Sequence, residues 1–307
     1  MVARPLAAQD ELHLGELYRA VLAASPRIAA ADARAGAAAA RVASTRRPPD
    51  PELQFGAMGR SLPGLGYSDP LGMDQLQLMQ MVPFPGKLGA AGQAAQARAE
   101  AARAEALDVA WGVRARAAER FYALYRIGAQ LAVARETRRL LEDITRTAAA
   151  MYGVGEGRQT DLLRAQVELA RMDEEIIRLE AERTAEAAGL NALLARGPAA
   201  PMGEPVLPAF PDTLPALDSL LAEAASRRPM VQADAAEVRA ADADARRARR
   251  ELWPDLQLGV QYAWRPMPGG GSDRMGSLMV GVTLPVFAGS RQLAMRRETE
   301  AMAAMAR

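Results

Sequence analysis

The sequence predicts a mainly α-helical chain with a small β part, in which a long coiled-coil hairpin hangs from short, two-faced strand pairs. Three observations predict it. No proline interrupts the alanine-rich helical pattern between Lys87 and Pro198. Two pairs of short segments alternate apolar and polar residues. The order of chain breakers in the first part of the sequence then recurs in the last part. At a rise of about 1.5 Å per residue, residues 88–150 would span roughly 95 Å. Helices in ordinary globular domains average about 11–12 residues, so an antiparallel hairpin is the expected outcome.

Taken in order, residues 11–24 read as a short amphipathic helix, with Leu12, Leu17 and Val21 near one face. Ser25-Pro26 opens a second helix, because proline is tolerated in a first turn, and Pro48-Pro49-Asp50-Pro51 ends it after about Thr45. Residues 52–58 alternate Leu53, Phe55 and Ala57 with Glu52, Gln54 and Gly56, the period of a strand with two different faces. A Gly/Pro-rich loop over 60–72 leads to a second strand at 75–82, which meets the breaker Pro83-Phe84-Pro85-Gly86-Lys87.

The same marks return 203 residues later, Pro26 answering to Pro229 and Pro51 to Pro254. Pro51-Glu52-Leu53-Gln54-Phe55-Gly56 matches Pro254-Asp255-Leu256-Gln257-Leu258-Gly259, and Val82-Pro83-Phe84-Pro85-Gly86 matches Leu284-Pro285-Val286-Phe287-Ala288-Gly289. Recurrence of several marks in one order is the signature of an internal repeat. Each copy reads as helix, strand, loop, strand, long helix, and the second stops soon after Gly289. On the order of a hundred further residues are expected beyond it, by analogy with the first copy.

The second copy has the cleaner strands. Leu256, Leu258, Val260, Tyr262 and Trp264 share one parity, and Leu278, Val280, Val282 and Leu284 another. Strands of about ten residues with one apolar face fit a transmembrane barrel, with Tyr262 and Trp264 toward an interfacial girdle. They also fit a sandwich or a helix-covered sheet.

Along the hairpin, Leu162, Ala165, Leu169, Met172, Ile176, Leu179, Leu190 and Leu193 follow a heptad, with Arg183 and Glu186 inside it. Leu163, Ala170 and Ile177 make a second stripe. The outgoing helix repeats this with Val113, Ala117, Leu124, Ile127, Leu131, Ala134 and Leu141, beside Trp111, Ala118, Phe121 and Tyr125. Two seams fit a neighbour on each side, as in a closed ring of helices, and equally one wide stripe in a simple bundle. Gly153, Gly155 and Gly157 mark the turn, and Thr160-Asp161 is the expected cap of the returning helix.

Composition narrows the function. Half the residues are hydrophobic but only 5% are aromatic, so helices pack through small side chains rather than a thick core. A net charge of +1 offers no nucleic-acid footprint. Cysteine is absent, which excludes disulfides and thiolate metal sites. Residues 1–6 lack the apolar core of a secretory signal, and no run reaches the roughly 20 apolar residues of a membrane helix, so any crossing must be made by strands.

No catalytic constellation emerges. His13 is the only histidine and reads as a surface residue on a helix. Asp173, Glu174 and Glu175 lie on the polar flank of the heptad helix, where a solvated face accounts for them. The glycines at 153, 155 and 157 lack the Gly-Lys-Ser/Thr ending of a phosphate loop. Met73, Met79, Met81, Met267, Met275 and Met279 gather near the strands, and thioethers suit Cu(I), though methionine is also an apolar filler. Lys87 is the only lysine. No cofactor is expected, and the protein does not read as an enzyme.

Several of these segments, in this order and in duplicate, resemble the TolC-like outer membrane factors, the outer membrane efflux family. They are Ser25-Pro26 and Arg228-Pro229, Pro51-Glu52-Leu53 and Pro254-Asp255-Leu256, Pro83 through Lys87, Tyr152-Gly153-Val154-Gly155 with Asp161-Leu162-Leu163-Arg164-Ala165-Gln166, and Leu284 through Gly289. The Pro-Phe-Pro-Gly-Lys form is most similar to the heavy-metal-efflux branch.

The resemblance implies a homotrimer in which each chain gives four strands, a third of one twelve-stranded outer-membrane barrel, above a periplasmic helical tunnel. It divides the chain into N-terminal helices at 10–50, a first barrel hairpin at 51–82, a long periplasmic hairpin at 88–196 with its tip at 151–160, and a Pro-rich linker with an equatorial helix at 197–228. A tunnel helix at 229–252, a second barrel hairpin at 255–285 and the start of a second long helix at 289–307 complete it. Gly153, Val154, Gly155, Arg158 and Asp161 would dock a periplasmic adaptor and narrow the pore. Glu52, Gln54, Gln257 and Gln261 would face the lumen, and Leu256, Leu258, Val260, Val280 and Val282 the outer-membrane lipid. The implied function is passive export of small solutes, metal ions or drugs, driven by an inner-membrane efflux pump through the adaptor. The alternative is a soluble helical scaffold that acts only by protein–protein binding.

Overall fold

The computed structural model describes residues 11–60, 72–209, 213–267 and 270–307. In chain order the elements are β1 (Glu11–His13), α1 (Leu14–Ala24), α2 (Pro26–Thr45), β2 (Glu52–Met58), β3 (Met73–Val82), α3 (Lys87–Gly153), α4 (Gln159–Leu193), β4 (Glu204–Val206), α5 (Leu217–Arg227), α6 (Pro229–Arg250), β5 (Asp255–Pro266), β6 (Ser272–Thr283) and α7 (Gln292–Ala306). Residues 1–6, most of the expected 60–72 loop and residues 210–212 of the Pro-rich segment lie outside the described residues. No described helix is long and apolar enough to cross a membrane. The chain divides into two compact units, Met1–Ala31 with Ala106–Ala222, and Asp32–Glu105 with Glu223–Arg307.

In the first unit the later part of α3 lies antiparallel to α4. Arg120–Glu186 (2.8 Å), Arg126–Glu182 (3.0 Å) and Arg138–Asp173 (2.5 Å) ascend one helix as they descend the other. Beneath them Val113, Ala117, Phe121, Leu124, Leu190 and Leu194 form a core that α1 completes with Leu17 and Val21, one turn apart. Each fully buried large side chain there is worth roughly 1.5–3 kcal/mol. Phe121 sits in this seam rather than beside it, because the spacing 117, 121, 124 follows one helix face as well as the expected heptad does. Gly189 leaves room on α4 for the Arg120 guanidinium, whose Nε would lie 3.0 Å from an added β-carbon.

The first helix begins three residues later than the sequence predicts. Glu11–His13 instead pairs in parallel with β4, Leu12 opposite Pro205. The short ladder buries Leu12 in the α1 core and pairs the β1 backbone with β4, so pairing outweighs extension of the helix. The glycine turn is as expected, but α4 starts at Gln159 with extended Arg158 as its cap and no side-chain capping bond. Asp161 lies in the first turn, where a carboxylate meets the positive end of the helix dipole.

In the second unit, alanines carry the helix packing. Ala233, Ala236, Ala240 and Ala243 form a buried stripe on α6, and the early part of α3 buries Ala90, Ala94, Ala97, Ala101 and Ala104. Arg98–Asp244, and Arg239–Glu100 at 2.8 Å, run antiparallel between α3 and α6. The four strands form one antiparallel sheet in the order β2-β3-β5-β6, so the two strand pairs are joined by β3 against β5.

Candidate functional site

The sheet is the first candidate site. Its registers run without a bulge from Glu52↔Met79 through Met79↔Gly259 to Gly259↔Met279, so residue parity alone assigns each side chain to a face. Glu52, Gln54, Gln257 and Gln261 share one face, together with Gln75 and Gln77. Gln261 donates to Gln75 Oε1 at 2.5 Å. Leu256, Leu258, Val260, Val280 and Val282 share the opposite face with Leu53, Phe55, Leu76, Leu78 and Leu278. All ten are exposed, Leu278 to 77% and Phe55 to 66%, a contiguous apolar surface that single soluble domains avoid. Phe55, Tyr262 and Trp264 cluster at one end of it, with ring centroids 5.8–6.3 Å apart. Both outer strands, β2 and β6, have one edge without a strand partner among the described residues.

At the other end of the sheet, the Pro83–Lys87 breaker is a clasp. Gly86 adopts φ +87°, a left-handed turn that favours glycine. The turn delivers Lys87 into a site where its side chain is only 7% exposed. Lys87 Nζ donates to Trp253 O (2.9 Å) and Asp255 Oδ1 (2.8 Å) and lies 3.3 Å from Glu251 Oε2. Asp255 Oδ1 also accepts the Phe84 N–H at 2.7 Å, and the Phe84 ring stacks on Trp253 at 5.1 Å. Arg250 donates to Gly86 O at 2.7 Å. A compact ammonium with three donors matches three oxygens converging on one point, which a planar guanidinium does not. The sole lysine thus fastens the β3–α3 turn to the α6–β5 junction.

The hairpin tip, in the first unit, is the second candidate. Met151 O accepts from Glu156 N (2.9 Å) and Gly157 N (3.0 Å), closing the turn after α3. Gly155 has φ +80°, and a β-carbon on Gly157 would fall 2.9 Å from Tyr152 N, so each glycine answers a different steric demand. Val154 projects from the tip, 73% exposed. The structure gathers Gly153, Val154, Gly155, Arg158 and Asp161 around this one turn.

Sequence reasoning missed the clasp partners Trp253 and Glu251, because they converge on Lys87 from the far side of the chain. It also left Gln75, Gln77 and Met58 off the polar face, although their parity could have placed them. Buried Asn191 was missed as well. It donates to Pro198 O (3.2 Å) and Ala200 O (2.9 Å), holding the loop after α4. His13 is exposed near Glu11 (3.4 Å), and Asp173 and Glu175 pair with Arg138 and Arg178.

The described chain combines a long antiparallel helix pair, α3 with α4, and a four-stranded antiparallel sheet. Among solved structures, the outer-membrane channel OprN superposes with a TM-score of 0.78 at 22% identity, over 95% of this chain and 68% of that one. A membrane protein from Pseudomonas aeruginosa gives 0.79 at 21%, over 95% and 71%. The outer membrane protein VceC from Vibrio cholerae gives 0.75 at 20%, over 95% and 73%. No curated protein matches by sequence. The chain belongs to the outer membrane efflux protein family, whose model matches residues 17–196 and 220–307.

Proposed function

We propose that three copies of this chain close a twelve-stranded barrel in the outer membrane, continued by a periplasmic helical conduit through which small solutes leave. The observation that carries this reading is the sheet itself. One face is apolar and exposed, the other is rich in glutamine, and both edges lack a strand partner among the described residues. Backbone groups at an open edge cannot sit in hydrocarbon, so a sheet with such a face is completed only by closure, and a third of a barrel is completed by two more copies. Glu52, Gln54, Gln257 and Gln261 then line the lumen, while Leu256, Leu258, Val260, Val280 and Val282 meet lipid. An exposed second stripe on the hairpin, including Trp111, Tyr125, Leu163 and Ile177, supports contact with neighbouring helices.

The tip at 153–161 is the docking surface for a periplasmic adaptor, through which an inner-membrane pump supplies the energy, and the duct itself is passive. The clasp formed by Pro83 through Lys87 supports a place near the heavy-metal-efflux branch. The segment assignments at 10–50, 51–82, 88–196, 197–228, 229–252, 255–285 and 289–307 follow this scheme.

The test is to express the natural reading frame, fractionate the membranes and run the sample unboiled. A trimer-sized band in the outer membrane is expected. A soluble product with no membrane partition would overturn the duct and leave a helical scaffold.

A further inference from the structure

Six methionines lie in the four strands: Met58, Met73, Met79, Met81, Met275 and Met279. The registers put all six on the glutamine face, and none on the face that carries the leucines and valines. A methionine used as apolar filler belongs among other aliphatic side chains. Here the face with every methionine holds no leucine, valine, isoleucine or aromatic residue, only Gln, Ser, Thr, Gly, Ala and charged residues beside them. The thioethers are therefore placed with the polar set.

Met58 stands directly opposite Met73 near one end of the face, and a second row sets two more across an intervening strand. Met79, Gly259 and Met279 lie directly opposite one another on β3, β5 and β6, with Glu52 opposite Met79 on β2. Adjacent strands are about 4.8 Å apart, so the Met79 and Met279 backbones stand about 10 Å apart with Gly259 between them. A β-carbon on Gly259 would fall 2.7 Å from Met79 Sδ and 3.3 Å from Met279 Cε, so both side chains already lean over the space that glycine leaves. Glycine is what leaves that space open to both.

We infer that this row is a transit site for a soft monovalent cation, Cu(I) or Ag(I), ligated by the Met79 and Met279 thioethers, with Glu52 adding charge at its margin. Soft, neutral thioethers select such ions over Mg(II), which takes oxygen ligands, and over Zn(II), which takes imidazole, carboxylate and thiolate. Two neutral ligands hold the ion weakly, as conduction requires, since a site in a pore must release what it binds. The inference rests on the barrel reading, in which this face lines the lumen, and it names the class of solute exported.

The test is equilibrium dialysis of the purified, unboiled trimer against Ag(I) in chloride-free buffer, with Zn(II) in parallel and bound metal counted by mass spectrometry. Wild type is expected to bind Ag(I) and no comparable Zn(II), with roughly one Ag(I) per chain belonging to this row beside whatever the facing pair Met58 and Met73 holds. Met79→Leu/Met279→Leu keeps the apolar bulk and should lose that ion, Gly259→Ala should weaken it, and Met295→Leu/Met302→Leu on α7 should leave it intact. A trimer that binds no Ag(I), or binds it equally in the Met79/Met279 variant, overturns the site and leaves the barrel standing. Failure of the wild type to form any outer-membrane trimer overturns the barrel and the site together.

Discussion

Replacing Lys87 by methionine keeps most of the side-chain volume and removes the buried cation of the clasp. Asp255, Glu251 and Trp253 O would then share a nearly closed site without its ammonium, leaving Asp255 only the Phe84 N–H and Glu251 only Arg247 at 3.4 Å. Breaking a buried ion pair by deleting one partner costs about 3–5 kcal/mol, because the surviving charge is left uncompensated. The two carboxylates keep 21% and 26% of their side-chain surface in water, which lowers the cost toward about 3 kcal/mol. Lys87→Arg keeps the charge but forces a longer planar group into the same space, for about 1–3 kcal/mol of overpacking. Asp255→Asn retains an oxygen for the Phe84 N–H while removing the charge, so a Lys87→Met/Asp255→Asn cycle isolates the ion pair from the turn. The assay is chemical unfolding of the detergent-solubilised protein followed by helical circular dichroism. A Lys87→Met loss under about 1 kcal/mol, or additive single and double variants, would refute the clasp as a stabilising device.

Three further outcomes are expected. Val260→Arg puts a charge at the centre of the apolar face and should cost about 2–4 kcal/mol in a bilayer, abolishing unboiled trimer, whereas Gln261→Arg on the opposite face should assemble. Gly155→Ala should cost about 1–2 kcal/mol through its positive φ, and Gly157→Ala should press on the Tyr152 backbone. Both should speed hydrogen exchange at the amides of Glu156 and residue 157 while leaving those in mid-α4 unchanged. Hydrogen bonds from Arg239 and then Gln96 hold the Glu100 carboxyl below its usual value, and bonds from Arg296 and then Arg249 do the same for Glu300. A depressed carboxylate stabilises the fold above its unfolded value of about 4.3 and loses that contribution as pH falls through the lower folded value. Unfolding midpoints should therefore be flat from about pH 7 to 5 and decline below about pH 4, and Glu100→Gln/Glu300→Gln should flatten the acid limb.

The sequence by itself determined what depends on neighbours along the chain. An alanine-rich run free of proline specifies α3, Pro26 and Pro48 bracket α2, and alternation in β2 and β5 assigns Gln54, Gln257, Leu256 and Val260 to their faces, since a strand has period two whatever it pairs with. Tertiary structure decided what depends on distant surfaces. It drew Leu12 out of the expected helix into a ladder with β4, placed Phe121 in the buried seam, and joined β3 to β5. It also brought Trp253 and Asp255 onto Lys87 and Met79 toward Met279 across Gly259. The physical reason is common to all of these. Periodicity is set by local backbone geometry, whereas strand pairing, burial and the convergence of ligands arise between segments whose separation along the chain leaves no pattern in either one.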